Sequence, residues 1–351
     1  MISRVLVFSA VLCSALQVTV SAATLPLRGN DLGPDERYHT FVHTSGIQAE
    51  GKDIGALRRI SDTAWSGLRS GTSDRRVLKN WVVYGKPFYA MASGVVVGCW
   101  RNAPENIPGS LNPLYKPDLK FAGGGNHLWI LQDDGAYALY AHAQPGSIPA
   151  TLCPHGAQLF TGNSGKGGSP DIEPEARVTN GVRINAGQFL GRIGNSGASA
   201  SGPHLHVHME KNNQPVVMKF DRGLTTPFEG SRASLNGPWT PLAGQAFPQA
   251  SVLFWPPRPA GNLTFNEIKS ADYQRLSDHL VDSGMMPNLI SCQSNGASYN
   301  STWVPHQGQW ASFHGMNAAQ ALAKNTLYTS QGYKRTSSYT CGAANVAVWR
   351  K

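Results

Sequence analysis

The chain has 351 residues, with 30 Lys and Arg against 21 Asp and Glu, so its net charge is +9 at pH 7. This length is typical of two domains, and 38 glycines and 23 prolines among many short apolar runs favour a β-rich fold with abundant turns. No basic run is interleaved with aromatic residues, which argues against nucleic-acid recognition, and no apolar run after the N-terminal one is long enough to span a bilayer.

Residues 1–23 have the pattern of a secretory signal peptide. Arg4 gives a positive start, an apolar run begins at Val5, and small residues at 21–23 provide a cleavage site. Polar and small residues end the apolar run too early for a membrane span. Cys13 follows a leucine where a lipoprotein signal would have a small residue, so lipid anchoring is not expected. The sequence therefore predicts a secreted or periplasmic protein.

Four cysteines remain after the predicted signal, and they are Cys99, Cys153, Cys292 and Cys341. An even number in an exported chain predicts two disulfides. Four cysteines allow three connectivities. We favour Cys99 with Cys153 and Cys292 with Cys341, because these pairs fall in different halves of the sequence.

Three histidines alternate with apolar residues in the stretch GNSGASASGPHLHVHME, residues 194–210. Such alternation predicts a β-strand, since every second side chain shares a face. Leu205 and Val207 would face a core, and His204, His206 and His208 would line the other face. Neutral imidazoles suit a zinc or copper ion and can also transfer protons near neutral pH.

The segment GNSGASASGPHLH resembles the glycine-rich signature and H-x-H motif of the lysostaphin-type (LytM-like) zinc metallopeptidases, which cut peptide bridges in bacterial peptidoglycan. The resemblance implies a mainly β domain over residues 24–225, with an antiparallel sheet that forms a groove. It also implies that His206 is a Zn²⁺ ligand and that His204 acts in catalysis.

Two further segments resemble the same family. YGKPFYAMASGVVVGCW, from Tyr84, matches its G-x-P-V-Y-A segment. GNHLWILQDDGAYALYAHAQPGSIP is predicted to be a hairpin that turns at residues 133–135, and it matches the segment that carries the second catalytic histidine. This match assigns that role to His142.

The family's other two zinc ligands lie in an H-x-x-x-D motif that this sequence lacks. In one placement, GKDIGALRR matches the G-x-D-I element, so Asp53 is the carboxylate ligand and Ala49 stands where the family has histidine. In the other, Asn80 and Arg76 occupy the two ligand positions and neither ligand is present. We favour the first placement because it keeps a carboxylate.

The third protein ligand is left open by the sequence, although a hydrolytic zinc site needs about three, with one position kept for water. Four residues are candidates: His43, Gln48, Glu50 and His208. If zinc binds, His204 and His142 would orient or deprotonate the water and stabilise the oxyanion. No H-E-x-x-H glutamate is present, so histidines must transfer the protons.

Beyond the predicted catalytic domain, residues 226–261 are predicted to be a connector rich in proline and tryptophan. Residues 262–351 contain two similar stretches, each with a helix, a glycine, a strand with a cysteine and a last strand with a tryptophan. They resemble, more weakly, the α+β tandem repeats appended to secreted bacterial hydrolases. Trp303, Trp310 and Trp349 are predicted to be core residues in preference to sugar-stacking ones.

Three functions are compatible with these patterns. The first is a secreted zinc endopeptidase acting on peptidoglycan cross-bridges, and the positive charge also favours anionic cell-wall polymers as partners. The second is a non-catalytic LytM-like module that binds peptidoglycan or activates another cell-wall hydrolase. The third, a serine protease, is suggested only by the two GNSG segments, which contain Ser164 and Ser196.

Overall fold

The computed structural model describes residues 23–33, 35–61, 64–115, 123–159, 170–199, 201–228, 240–242, 244–248, 252–255, 262–282 and 284–351. The predicted signal peptide up to residue 22 and Ser164 lie outside these ranges. Within them, no helix is long and apolar enough to cross a membrane.

The strands, in chain order, are β1 (Glu36–Val42), β2 (Lys52–Ser61), β3 (Ala64–Ser66), β4 (Pro87–Tyr89), β5 (Gly94–Trp100), β6 (Asn126–Gln132), β7 (Tyr137–Ala143), β8 (Arg183–Ile184), β9 (Phe189–Arg192), β10 (Leu205–Lys211), β11 (Gln214–Val216), β12 (Lys219–Phe220), β13 (Leu224–Pro227), β14 (Thr240–Pro241), β15 (Gln245–Ala246), β16 (Val252–Trp255), β17 (Leu263–Lys269), β18 (Met285–Gln293), β19 (Ser298–Pro305), β20 (Trp310–Met316), β21 (Lys334–Cys341) and β22 (Ala344–Arg350). The helices are α1 (Ser270–Asp282) and α2 (Ala318–Ser330).

A large antiparallel sheet dominates the N-terminal two thirds of the chain. Its strand order is β14-β13-β16-β1-β2-β10-β7-β6-β5-β8, with β11 paired to β10 and β3 paired to β2. The predicted mainly β, antiparallel fold class is therefore confirmed. The histidine-bearing strand β10 lies near the middle of this sheet, between β2 and β7.

The two faces of β10 differ as the alternation predicts. Leu205 and Val207 are fully buried in the main hydrophobic core, which also contains Ile54 and Tyr140 from the flanking strands. Residues paired across antiparallel strands point to the same side, so the pairing of His206 with Asp53 on β2 places both on the opposite face. The core thus fixes which face carries the polar residues.

The hairpin predicted from GNHLWILQDDGAYALYAHA is present as β6 and β7. Gly135 in its turn has φ of 81°, a left-handed conformation in which a side chain would be strained. Ala141 of β7 pairs with His206 of β10. His142 follows Ala141 but has φ of 68°, so its side chain does not alternate to the core face and lines the same cavity as His206.

Part of the predicted connector 226–261 belongs to the large sheet. Its apolar run Val252–Trp255 forms β16, which pairs with both β1 and β13 in the large sheet. Phe254 is fully buried and stacks on Tyr38 at a ring-centroid distance of 5.4 Å. The nearby prolines favoured a connector, but a four-residue apolar run is long enough for a strand when a partner edge is available.

The C-terminal residues form two copies of one β-α-β-β unit. The first copy is β17-α1-β18-β19 and the second is β20-α2-β21-β22, and in each sheet the last strand lies between the other two. The sequence interpretation began each copy at its helix and missed the leading strands β17 and β20. Trp303 and Trp349 are fully buried, as expected for core residues, whereas Trp310 is only partly buried.

Both favoured disulfides are present, which confirms the predicted pairing. Cys99–Cys153 closes a sequence separation of 54 residues in the N-terminal part, and Cys292–Cys341, with a separation of 49 residues, joins β18 of one repeat copy to β21 of the other. A cross-link removes conformational entropy from the unfolded chain.

Replacing both Cys99 and Cys153 with alanine is expected to lower the free energy of unfolding of the N-terminal part by about 2–4 kcal/mol, given the long loop that the cross-link closes. Calorimetry should show a lower transition temperature for that part alone. The matched double variant Cys292→Ala/Cys341→Ala should instead affect the C-terminal transition. Unchanged melting of the first variant would contradict this prediction.

Candidate metal centre

Three side chains from adjacent strands of the large sheet converge on one point. His43 follows β1 directly, Asp53 lies in β2 and His206 in β10. Asp53 Oδ1 lies 2.9 Å from His43 Nε2 and 2.8 Å from His206 Nδ1. One potential ligand atom from each residue lies within 4.8 Å of the other two. Two imidazole nitrogens and a carboxylate form a donor set that suits zinc.

The structure therefore places Asp53 beside His206, as the favoured alignment predicts, and brings His43 to them. Asn80 of the other alignment donates its side-chain amide to the carbonyl of Asp74, 2.8 Å away, in an exposed turn. His43 was one of four open candidates. The sheet explains its position, because Phe41 pairs with Asp53 across β1 and β2, and His43 lies just beyond the end of β1.

The remaining candidates for the third ligand lie outside the cluster of His43, Asp53 and His206. Gln48 lines the cavity in front of the cluster. Glu50 is not among the residues that line it. His208 lies behind His206, with its Nδ1 2.9 Å from His206 Nε2. If a cation occupied Nδ1 of His206, its Nε2–H would donate to His208, the kind of contact that orients a metal-ligating imidazole.

The charges of the cluster are coupled. Burial raises the pKa of Asp53, but hydrogen bonds with His206 and His43 outweigh burial and hold that pKa well below its usual range. The hydrogen bond with Asp53 raises the pKa of His43. Burial lowers the pKa of His206 despite the carboxylate. Near neutral pH Asp53 is therefore ionised and both imidazoles direct a ring nitrogen at its Oδ1, so a cation bound there would replace the ring N–H protons.

His142 and His204 lie next to the cluster and each has Nδ1 bound to a backbone carbonyl. His142 Nδ1 donates to Ser196 O at 2.8 Å, and His204 Nδ1 donates to Gly202 O at 2.9 Å. With Nδ1 as the donor, the lone pair of a neutral ring is on Nε2. His204 Nε2 lies 3.5 Å from Asp53 Oδ1. The ring centroids of the two histidines are 4.8 Å apart.

His142 also has an unusual backbone. Its φ is 68°, the left-handed region that non-glycine residues rarely adopt. Two hydrogen bonds hold it there, from His142 N to Gly124 O and from Gly194 N to His142 O, both 2.9 Å. Burial, and next the neighbouring His204, keep the pKa of His142 well below its usual range. The ring is thus a fixed neutral base.

These groups surround a cavity of about 430 Å³. It is lined by His43, Gln48, Asp53, Gly123, Gly124, Leu139, Ala141, His142, Ala198, Ser199, Ser201, His204 and His206. All four predicted site residues line this one cavity, together with His43. His43, one of the four candidates left open by the sequence, would be singled out only by searching for a histidine across a strand pair instead of four residues ahead of Asp53.

Ser196 is not placed as a nucleophile. It is fully buried, and its Oγ donates to Ala143 O at 2.8 Å and accepts from Asn126 N at 2.9 Å. These bonds fix the loop whose carbonyl holds His142.

Ser196→Ala is therefore expected to lower the free energy of unfolding by about 1–3 kcal/mol, because the buried Asn126 N loses its acceptor and Ala143 O keeps only the donor of the Asn126 side chain. Denaturant unfolding measures this loss. A nucleophile would behave differently, since its removal would abolish turnover at unchanged stability, and that result would contradict the structural role.

Two buried histidines outside the cluster should make folding sensitive to acid. Burial lowers the pKa of His279 to about 3 and that of His39 to about 4, whereas an unfolded histidine titrates near 6.5. The unfolded chain therefore binds protons first as pH falls. The stability contributed by the neutral rings is complete above about pH 6.5 and is lost towards pH 4, by up to about 1.4 kcal/mol per pH unit for each ring.

We expect His279→Leu to make the free energy of unfolding of the C-terminal part less dependent on pH. Unfolding of the variant should take up about one proton fewer than unfolding of the unchanged chain. Denaturant titrations at pH 7, 6, 5 and 4.5 measure it. An unchanged slope would mean that His279 is protonated in the folded state.

Comparison with known proteins finds related folds and one repeat family. Similar solved structures include the catalytic domain of lysostaphin, an antimicrobial peptidase of Staphylococcus simulans (18% identity, 52% of this chain and 86% of that chain, TM-score 0.24). Another is a candidate LytM glycyl-glycine endopeptidase of Ruminococcus gnavus, with 17% identity over 56% of this chain and 55% of that chain and a TM-score of 0.25. A third is a zinc-containing peptidase of Vibrio cholerae, with 15% identity over 48% of each chain and a TM-score of 0.22. The chain resembles lysostaphin-type peptidases. It spans about half the length of the latter two proteins.

Residues 307–350 match the model of the polyglycine hydrolase-like structural repeat (BTRD1). The matched range coincides with the second copy of the β-α-β-β unit, from β20 to β22. No match was found among curated protein sequences.

Proposed function

We propose that this protein is an exported zinc metalloendopeptidase that hydrolyses peptide cross-bridges of bacterial peptidoglycan. The observation that carries the proposal is the convergence of His43, Asp53 and His206 at a cavity that the imidazoles of His142 and His204 also line. Three protein ligands and an adjacent base are the parts that metal-assisted peptide hydrolysis needs.

His43, Asp53 and His206 would hold the zinc ion. When bound, zinc polarises a carbonyl oxygen and makes water more acidic. The carboxylate suits this role because it stays ionised, and the contact of His206 with His208 would keep the ligating ring oriented. The rest of the chemistry falls to side chains of the chain itself.

His142 and His204 are the proposed proton-transfer residues. In the neutral form of each ring the lone pair is on Nε2, since each Nδ1 donates to a carbonyl. One ring can accept a proton from the attacking water, and in its protonated form it can donate to the leaving amine. The other ring can accept a hydrogen bond from the same water at its Nε2 and so orient it for attack.

The substrate class rests on the resemblance of the sequence motifs and on the site. Among the similar proteins, lysostaphin is an antimicrobial peptidase and the Ruminococcus protein is a candidate glycyl-glycine endopeptidase. Two disulfides fit an oxidising compartment outside the cytosol. The net charge of +9 favours contact with anionic cell-wall polymers.

A non-catalytic module is less well supported than an enzyme. That alternative was suggested by the missing histidine of the H-x-x-x-D motif. His43 supplies an imidazole at the place where the missing ligand is needed, 2.9 Å from Asp53.

The test is incubation of the purified chain with isolated peptidoglycan, with and without a chelator, followed by mass spectrometry of the released fragments. We expect new amino termini at cross-bridge positions, their loss on chelation and their return when zinc is added. Binding to peptidoglycan without released fragments would favour the non-catalytic alternative.

A further inference from the structure

A second, smaller cavity lies beside the metal centre. Its volume is about 120 Å³, and it is lined by Ile47, Gln48, Gly123, Gly124, His127, Trp129, Leu139, Asp171, Glu173 and His208. Four of these residues, Gln48, Gly123, Gly124 and Leu139, also line the larger cavity. The smaller cavity is therefore a side pocket next to the place where a bound peptide would be cut.

One wall of the side pocket carries a buried hydrogen-bond acceptor with no partner. His127 is only 1% exposed, and its Nδ1 donates to Gly125 O at 2.8 Å. With Nδ1 as the donor, the nitrogen left to accept a hydrogen bond is Nε2. This Nε2 is buried and has no hydrogen-bond partner among the described residues. A buried polar atom without a hydrogen bond costs free energy. A ligand that donates a hydrogen bond to this nitrogen removes that cost and therefore binds more tightly.

Two carboxylates line the same pocket. Glu173 Oε2 lies 4.0 Å from His127 Nε2, which is too long for a hydrogen bond but can be bridged by a donor placed between the two atoms. Asp171 is the second acid, and none of the lining residues is Lys or Arg. The indole of Trp129 adds an aromatic wall, and aromatic rings attract cations.

The acidic segment is held in place relative to the metal centre. Gly123 N donates to Glu173 Oε1, and Asp171 N donates to Glu210 Oε1, both at 3.2 Å. Glu210 belongs to β10, the strand that also carries His206. The side pocket thus has a defined position relative to the reacting bond.

We propose that this side pocket binds a primary ammonium group of the peptide substrate, with His127 Nε2, Glu173 and Asp171 as acceptors. An ammonium offers several donors and one positive charge, which matches one neutral acceptor and two acids. A metal ion fits less well, since among the described residues the only group with ligand atoms close enough to share an ion is His43, Asp53 and His206. The inference rests on the proposed function, because it names the chemistry of that enzyme's substrate.

The ammonium can come from a side chain or from a peptide amino terminus, and the experiment separates these sources. The probes are three forms of the peptide tetraglycyl-lysine amide: unmodified, acetylated at the amino terminus, and acetylated at the lysine side chain. Binding to the zinc-free full-length chain is measured by calorimetry, and kcat/KM is measured on the zinc-loaded chain.

We expect one acetylated form to bind on the order of ten-fold more weakly than the unmodified peptide, which identifies the source. Glu173→Gln keeps the acceptor oxygen for Gly123 but removes the charge, and it should abolish the difference between the forms. Glu175→Gln, which removes the same charge from a residue that does not line the pocket, should preserve the difference.

Equal binding of all three forms, or an equal loss for all three in Glu173→Gln, overturns the inference. The two proposals fail differently. Discrimination between the forms without any hydrolysis would reject the enzyme and keep the ammonium pocket, whereas hydrolysis of all three forms at equal kcat/KM would reject the pocket alone.

Discussion

His43→Ala is expected to abolish zinc binding and to lower hydrolysis of peptidoglycan on the order of a thousand-fold or more. His43 Nε2 lies 2.9 Å from Asp53 Oδ1, and without this imidazole only a carboxylate and His206 Nδ1 remain of the cluster. Two protein ligands do not make a stable site for an ion that normally has three or four. The losses of zinc and of activity should equal those of His206→Ala.

Zinc content by mass spectrometry and the rate of fragment release are measured together. His306→Ala removes an exposed imidazole in the C-terminal part and serves as the matched control. If His43→Ala kept its zinc and its activity while His208→Ala lost both, the third ligand would come from β10 and the assignment of His43 would be wrong.

His142→Ala and His204→Ala are expected to leave zinc in place and to slow hydrolysis by about 10²–10⁴-fold, the usual contribution of a positioned acid or base. Both rings face the cavity, and their Nδ1 atoms are bound to Ser196 O and Gly202 O. The loss should be in kcat, because the two rings act on the reacting atoms and contribute less to substrate binding.

The same metal analysis separates this role from ligation. A variant of His204 or His142 that lost zinc would be a ligand variant and would contradict the proposed roles. The double variant should be little slower than the slower single variant if the two rings act as a unit. If the rate losses of the two single variants multiplied in the double variant, His142 and His204 would act in separate steps.

The central strand and its two faces could be predicted because their signal is local. Alternation of His206 and His208 with Leu205 and Val207 over a few residues fixes both the strand and its buried side. The hairpin that carries His142 was predictable for the same reason, since its turn residues lie between two alternating runs. Asp53 was placed by the resemblance of its surroundings.

His43 could not be assigned because its position depends on pairing between strands. It lies ten residues ahead of Asp53 in the sequence, and only the register of β1 against β2 brings the two together. A search at the family's four-residue spacing reaches Ala49 instead. The side pocket is even harder to predict from the sequence. His127 and Glu173 come from separate segments, and only the folded sheet brings them close together.

The central position of β10 makes the register of this strand decisive. Its neighbours on both sides, Asp53 and Ala141, are matched to His206. Because side chains alternate, a slip by one residue would turn the histidines into the core and bring Leu205 or Val207 to the cavity. Insertions or deletions of one residue inside this strand should therefore destroy folding and metal binding together, whereas changes of length in distant surface loops should be tolerated.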